Sequence, residues 1–390
     1  MLDKPYCNAP WLGLYYEGTV GCRPCCEWKG ETFEGNIKEY EKSQFLIDFK
    51  KRMYNDKESV FCQECLHNEK IGGHSRRKYY DRFTDIDYDI SGLKYIARMD
   101  FRAGNKCNMM CRMCGPSSSS LLEEEIIDAG EQEIGFTKHL DTSDVYDLDL
   151  TGCEEISILG GEPSIDLKVR KFMNHVADNY PNIRVVVTTN ATNSSEKWFK
   201  TLLRFCRGAG LQIILSVDAA GATQDFQRKS KIGWNTIKTN IVKYREMAKN
   251  NNNECEISIQ LTCTAINLVT IDKWWDELVG LDIKIDPNQV WWPKGMAVSC
   301  IPHEYKHKSI KFLENWKTHF ETILKFGKTK THLTEVQIHN VDKAVGTIIN
   351  ILETTKYTGT KNFIETQNRY DKYRNENIKD LDDRFKVMMI

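Results

Sequence analysis

From about residue 93 the sequence alternates two textures, and this alternation narrows the fold more than any other feature. Short runs of β-branched and apolar residues, "LKYIARMDF", "EEISILGG", "IRVVVTTN", "LQIILSVD" and "CEISIQLTC", are separated by amphipathic stretches such as "DLKVRKFMNHVADNY", "SEKWFKTLLRFC" and "WNTIKTNIVKYREMAKN". Strands alternating with helices form βα units, and these make a parallel sheet with helices packed on it. Counting "NQVWWPKGMAVSCI" as a last strand region gives about six strands. That is too few for a closed eight-stranded barrel and enough for an open one. The expected fold is α/β, a partial (β/α)6 TIM-like barrel over residues 93–301.

The flanks differ in kind. Residues 1–92 are cysteine-dense, aromatic and loop-rich, with a helical period only over roughly 36–54, and are expected to form a domain of their own. Beyond Pro302, Leu313, Trp316, Phe320 and Ile323 recur at helical spacing, as do Ile338, Val341, Val345, Ile348 and Leu352. Residues 302–390 therefore read as helices packed on the barrel.

Fourteen cysteines need an account. The start "MLDKPYCNAPWLGLYYEG" has no basic flank leading into an apolar run, and no stretch of about 18 apolar residues occurs, so a cytoplasmic chain without a membrane segment is expected. Cytosolic thiols stay reduced, and clustered ones there bind metal or do chemistry. Cys7, Cys22, Cys25, Cys26, Cys62, Cys65, Cys107, Cys111 and Cys114 are clustered; Cys153, Cys206, Cys255, Cys263 and Cys300 are isolated and read as buried small hydrophobes. With 54 basic and 55 acidic side chains, the net charge of −1 argues against a nucleic-acid groove.

"NKCNMMCRMCGPSSSS" places Cys107, Cys111 and Cys114 just after the first strand of the barrel. Three thiolates can hold three irons of a 4Fe–4S cluster and leave the fourth iron open. Structural zinc takes four ligands, and no further Cys or His follows Cys114 closely. The serine run reads as the N-cap of the acidic helix "LLEEEIID". One βα unit later, "ILGGEPS" puts Gly160, Gly161, Glu162 and Pro163 at the end of the second strand. Paired glycines let backbone approach a ligand closely, and carbonyls with a carboxylate there suit an ammonium group.

CxxxCxxC after one strand and GGEP after the next resemble the radical S-adenosylmethionine (radical SAM) superfamily, over roughly residues 93–301. The resemblance extends to "VVVTTNAT", where Thr189 and Asn190 would line the pocket, and to "LSVDAAGATQDFQRKSKIGW". There it implies that Ser216 and Arg228 meet the methionine carboxylate, for which an arginine fork is suited. Asp218 would sit near the ribose or the substrate. Met113 stands where the family usually has an aromatic residue, and its backbone would hold the adenine. The implied chemistry is reductive cleavage of S-adenosylmethionine on a cluster held by Cys107, Cys111 and Cys114. The 5′-deoxyadenosyl radical so formed removes hydrogen from an unactivated C–H bond. A one-electron reductant such as flavodoxin or ferredoxin is implied as partner.

"CNAPWLGLYYEGTVGCRPCCEW" followed by "FCQECLHNEK" resembles the auxiliary-cluster modules of that superfamily, the twitch and SPASM domains, placed here before the barrel. The resemblance implies a second 4Fe–4S cluster on Cys7, Cys25, Cys62 and Cys65, with Cys22 and Cys26 as possible substitutes. A structural zinc knot is the alternative. The expected substrate is a peptide or a small polar molecule. A zinc-stabilised, non-catalytic interaction protein and radical modification of a nucleobase remain the competing functions. His74, Arg76, Arg77 and Lys78 offer a basic run that steers an anion or only faces solvent, and Trp291 with Trp292 reads as a substrate wall or half-buried core.

Overall fold

The computed structural model describes residues 5–55, 60–70, 75–93, 95–131, 139–207, 210–251, 254–326 and 335–390. Ten strands occur among them: β1 (Gly13–Glu17), β2 (Gly21–Arg23), β3 (Arg98–Arg102), β4 (Met109–Cys111), β5 (Glu155–Leu159), β6 (Arg184–Thr189), β7 (Leu211–Ser216), β8 (Arg228–Ser230), β9 (Cys255–Cys263) and β10 (Lys284–Gln289). Eight form one sheet in the order β10-β9-β7-β6-β5-β3-β1-β2. All its neighbours pair in parallel except the β1–β2 edge. The other two, β4 and β8, form a small antiparallel ladder.

The sheet's two faces have opposite chemistry, as period-two side chains allow. Met99, Phe101, Ile156, Ile158, Val185 and Val187 are buried on one face. The helix Leu167–Asn179 packs there through Val169, Phe172, Met173 and Val176, with the Phe101 and Phe172 rings 4.6 Å apart. Its start is fixed by Asp166, whose side chain accepts the Lys168 N–H. The helices Glu196–Leu203 and Trp234–Lys249 continue the layer, capped by Ser195 and Gly233.

The alternate residues make a polar inner face. There Nη2 of Arg98 donates to Ser157 Oγ at 2.6 Å, and Arg98 pairs with Glu155. Arg184 links Glu155 at 3.6 Å to Glu256 at 2.9 Å. These charges sit at the strands' N-terminal ends and close that end of the sheet with fixed ion pairs.

Two expectations change. The last strand is "KIDPNQ", so only Asn288 and Gln289 of "NQVWWPKGMAVSCI" are in it. Its proline and polar residues hide it from a pattern search, and Pro287 is tolerated because β10 is an edge strand. Secondly, β1 lies beside β3 in register from Gly13↔Arg98 to Glu17↔Arg102. Sheet hydrogen bonding therefore crosses the 92/93 boundary, and the six parallel strands from β3 onward gain a seventh from the cysteine-rich segment. "GLYYE" is buried at every residue, which suits an aromatic strand enclosed on both faces.

The C-terminal region is helical: His303–Phe326, Glu335–Thr354, Lys361–Arg374, Ile378–Leu381 and Asp383–Met388. Val341, Val345, Ile348 and Leu352 are buried, as their spacing predicts. No helix among the described residues is long and apolar enough to cross a membrane.

Candidate active site

The cysteine loop is held from three sides. Cys107 precedes β4, Cys111 ends it, and Cys114 lies in the turn beyond, where its N–H donates to Cys111 O at 3.0 Å. Ser119 Oγ donates to Met109 O at 2.5 Å and accepts the Leu122 N–H at 3.2 Å, so it caps Ser120–Asp128 and ties that helix to the loop. Ser120 Oγ accepts the Cys107 N–H at 3.3 Å.

The paired glycines explain the third side. Gly161 N–H donates to Gly104 O at 3.2 Å and Glu162 N–H to Lys106 O at 2.8 Å. A Cβ on Gly161 would stand 2.3 Å from Lys106 O, and Gly160 adopts φ +138°. Only glycine lets the strand end approach the cysteine loop this closely.

Glu162 is buried and spends its carboxylate inside the protein. Oε1 accepts from Thr189 Oγ1 at 2.6 Å and Ser164 N at 3.0 Å, and Oε2 accepts from Asn190 N at 2.7 Å. Burial pushes its pKa up, opposed by these donors. These bonds fix the end of β6 while Glu162 also lines the cavity. Asn190 Nδ2 in turn donates to Asn108 Oδ1 at 2.9 Å, and Asn108 Nδ2 to Thr192 Oγ1 at 2.9 Å.

Arg228 stands directly across the β4–β8 ladder from Cys111. Its Nε donates to Asp218 Oδ2 at 2.5 Å, and Asp218 Oδ1 accepts the Thr262 N–H at 2.9 Å. Desolvation acts to lower the Arg228 pKa, but Asp218 and the nearby Cys111 outweigh it and hold the guanidinium charged.

One cavity gathers these parts. It is lined by Cys107, Cys111, Met113, Cys114, Gly160, Gly161, Glu162, Thr189, Asn190, Ser216 and Arg228. Pro163 and Asp218 do not line it: Pro163 opens a buried turn, and Asp218 stands behind Arg228. Arg102, Met109 and Ser119 line it and were not expected. An arginine ending a strand on the face of Arg98 and Asp100 was the available signal for the first. Trp292 packs near the residue after Cys114, with a ring carbon 3.9 Å from where a Gly115 Cβ would be. Trp291 and Trp292 are 64% and 67% exposed, so they are not core.

The donor set suits a cluster. Burial pushes the Cys107 thiol up to about 11 and those of Cys111 and Cys114 above their ordinary value, while Arg228 opposes the shift at all three. Such thiols become thiolates on binding a cation, and bound metal releases their protons. Among the described residues no three His, Cys, Asp or Glu side chains are drawn together around a point that could hold a single metal ion. A cluster asks for a wider arrangement, since each thiolate takes its own iron.

Three of the N-terminal cysteines, Cys7, Cys25 and Cys62, pack against one hydrophobic cluster. Cys7 is raised by burial and by Cys62 and Cys65, and Cys25 by burial, Cys26, Cys7 and Cys65. Cys65 accepts backbone N–H groups from Arg76 and Arg77. Around them pack Trp11, Trp28, Phe49 and Tyr80. Cys22 lies elsewhere, donating to Gly35 O at 3.8 Å, with Asp144 close by. Cys26 is pushed up to about 12 by burial and by Asp100, and Arg76 beside it opposes the shift. Of the basic run, Arg77 is engaged by Glu69 and Asp81, and His74 lies outside the described residues. The five isolated cysteines are all buried.

An open, mostly parallel α/β sheet with three thiols, a Gly-Gly turn and a buried arginine around one cavity at its strands' C-terminal ends defines a class. Residues 102–279, the segment that carries Cys107, Cys111 and Cys114, match the family model described as the radical SAM superfamily. Among solved structures, similarity is found to native anSMEcpe with bound AdoMet at 18% identity, covering 60% of this chain and 67% of that one, with a TM-score of 0.40. Streptococcus suis SuiB bound to S-adenosylmethionine shares 13% identity over 73% of this chain and 60% of that one, TM-score 0.36. The radical S-adenosylmethionine methyltransferase TsrM from Kitasatospora setae shares 11% over 54% and 39%, TM-score 0.35. No curated protein matches the chain.

Proposed function

We propose that this chain is a cytoplasmic radical SAM enzyme that acts on a peptide or a small polar substrate. In this reading an auxiliary 4Fe–4S cluster assists, and a one-electron reductant such as flavodoxin or ferredoxin supplies electrons. The observation that carries the reading is the single cavity shared by Cys107, Cys111, Cys114, Gly160, Gly161 and Arg228.

Cys107, Cys111 and Cys114 would hold three irons of the first cluster. Arg228 offers its fork to the ligand carboxylate, while Asp218 keeps it charged and oriented. Gly160 and Gly161 bring backbone to the ligand's amino end, and Thr189, Asn190, Ser216 and the Met113 backbone take the adenosine. When bound, the cluster and S-adenosylmethionine together supply a 5′-deoxyadenosyl radical that takes hydrogen from an unactivated C–H bond. The chain's own task is to place the substrate and exclude water. The polar inner sheet face and the exposed Trp292 ring beside Gly115, next to Cys114, suit a substrate with polar groups and an apolar portion to pack, which favours a peptide. Cys7, Cys25, Cys62 and Cys65 would hold the auxiliary cluster; Cys7, Cys25 and Cys62 pack against one apolar cluster, whereas Cys22 belongs to the main core.

The test is iron, sulfide and zinc content of anaerobically purified protein, for wild type and for a variant with Cys107, Cys111 and Cys114 all changed to alanine. About eight irons falling to about four supports both clusters. About four irons lost entirely, with one zinc retained, leaves the first cluster and makes the N-terminal site a structural knot. S-adenosylmethionine cleavage by Cys107→Ala equal to wild type overturns the reading.

A further inference from the structure

The C-terminal region returns to the cysteine loop through a buried cation that the function above does not use. Arg112, between Cys111 and Cys114, has no exposed surface. Its Nη1 donates to Gln367 Oε1 at 2.9 Å, and its Nη2 to Asp371 Oδ1 at 2.8 Å and Glu376 Oε2 at 2.7 Å. The guanidinium lies 3.9 Å from the centre of the Phe226 ring, and the Arg112 N–H donates to Gln227 O at 2.9 Å.

Two further ties join the same pieces. Glu376 also pairs with Lys229, the neighbour of Arg228 in β8. Arg374 forks onto Glu125 of the helix Ser120–Asp128, at 2.7 and 2.8 Å. The Lys361–Arg374 segment with Glu376 thus grips the loop between two thiols, the helix that follows the loop, and the strand that carries Arg228. Three cations meet three carboxylates, so charge balances within the group.

We propose that this segment is a latch that sets the shape of the three-cysteine loop, with Arg112 as its positioning residue. The inference rests on the reading of Cys107, Cys111 and Cys114 as cluster ligands. Its physics is that a buried guanidinium cannot leave its acceptors without heavy cost, so the peptide from Cys111 to Cys114 is pinned where the fork points. An ammonium at the same place keeps the charge and loses the fixed direction. The loop's geometry therefore depends on residues more than 250 positions away, at separations of 255, 259 and 264.

The experiment uses the full chain, reconstituted anaerobically, and reads the electron paramagnetic resonance signal of the reduced protein before and after adding S-adenosylmethionine. The signal that responds isolates the first cluster from the auxiliary one. R112Q and D371N are expected to lose at least half of the responsive signal, with altered g values in what remains, and R112K to fall between them and wild type. R384Q serves as control, since it breaks the Arg384 pairs with Asp272 and Asp382 elsewhere in the C-terminal region and should keep the wild-type spectrum. Circular dichroism checks folding; should R112Q fail it, R112K and D371N carry the test alone. A wild-type responsive signal in the folded Arg112 and Asp371 variants overturns the latch by itself. Absence of any responsive signal in wild type overturns the reading beneath it, and the latch with it.

Discussion

Asp218 and Arg228 form a buried pair in which only the arginine reaches the cavity. Nε of Arg228 is spent on Asp218 Oδ2 at 2.5 Å, and Asp218 is itself anchored by the Thr262 N–H at 2.9 Å. Asp218→Asn keeps the shape and removes the countercharge, leaving a buried cation poorly compensated. Removing one partner of such a pair costs about 3–5 kcal/mol, and the isosteric amide recovers part of that through its remaining oxygen. S-adenosylmethionine affinity is expected to fall at least tenfold, about 1.4 kcal/mol, as read by equilibrium dialysis. Wild-type affinity in this variant would show that Arg228 needs no help in facing the ligand.

Glu162 holds two elements together while it lines the cavity. Its oxygens accept from Thr189, Ser164 and Asn190, and an amide at this position has one oxygen fewer to offer. Glu162→Gln strands at least one buried donor, which costs about 1–3 kcal/mol. The urea midpoint should drop accordingly while the slope stays constant. An unchanged midpoint would mean that the end of β6 keeps its position without the carboxylate.

These two residues mark how far the sequence could be read. Cys107, Cys111, Cys114, Gly160, Gly161 and Arg228 were legible because thiol spacing, paired glycines and an arginine carry their chemistry in residue type, and all six line one cavity. Glu162 was legible as part of the cavity wall but not in its bonds to Thr189, Ser164 and Asn190, and Asp218 was legible as important but not as the residue behind Arg228, because a motif names a carboxylate without naming its hydrogen-bond partners. Arg102 escaped although it shares a face of β3 with Arg98 and Asp100, because nothing local says that this face turns toward the cavity. β1 is aromatic and strand-like in sequence, but nothing local names β3 as its neighbour. Arg112 was invisible for another reason: its acceptors lie on the last long helix, and no local pattern reports a contact of that span.

Trp291 and Trp292 keep most of their surface exposed, 64% and 67%, and the Trp292 ring lies beside Gly115, the residue after Cys114. Removing a ring that is mostly in solvent costs little, because little apolar area is lost from the core. Trp292→Ala is expected to keep its thermal midpoint within about 2 °C of wild type. If the ring packs against substrate, product formation falls several-fold through a higher KM. A drop in the midpoint of about 6 °C or more would instead make Trp292 part of the fold's support for Gly115.

Acid sensitivity should be concentrated at the chain's C-terminus, where Asp382 is almost fully buried and accepts from the Arg384 backbone N–H at 2.9 Å and its Nε at 2.8 Å. Lys273 supplies a second cation at 2.6 Å. Burial alone would raise this carboxyl, but the donors from Arg384 and Lys273 overcome it and hold it well below the ordinary carboxylate range. A folded value depressed below the unfolded one stabilises the fold wherever the unfolded carboxyl is ionised. That contribution is therefore complete above about pH 5 and is lost as pH falls through 4 and below. Asp382→Asn should cost about 2 kcal/mol at pH 7, and the gap between variant and wild type should begin to narrow below about pH 4 and go on narrowing as pH falls toward the depressed folded value. Urea unfolding at pH 7, 5, 4 and 3 measures it, and a gap that stays constant over that range would show that packing of Asp382, rather than its charge, holds the C-terminal helices in place.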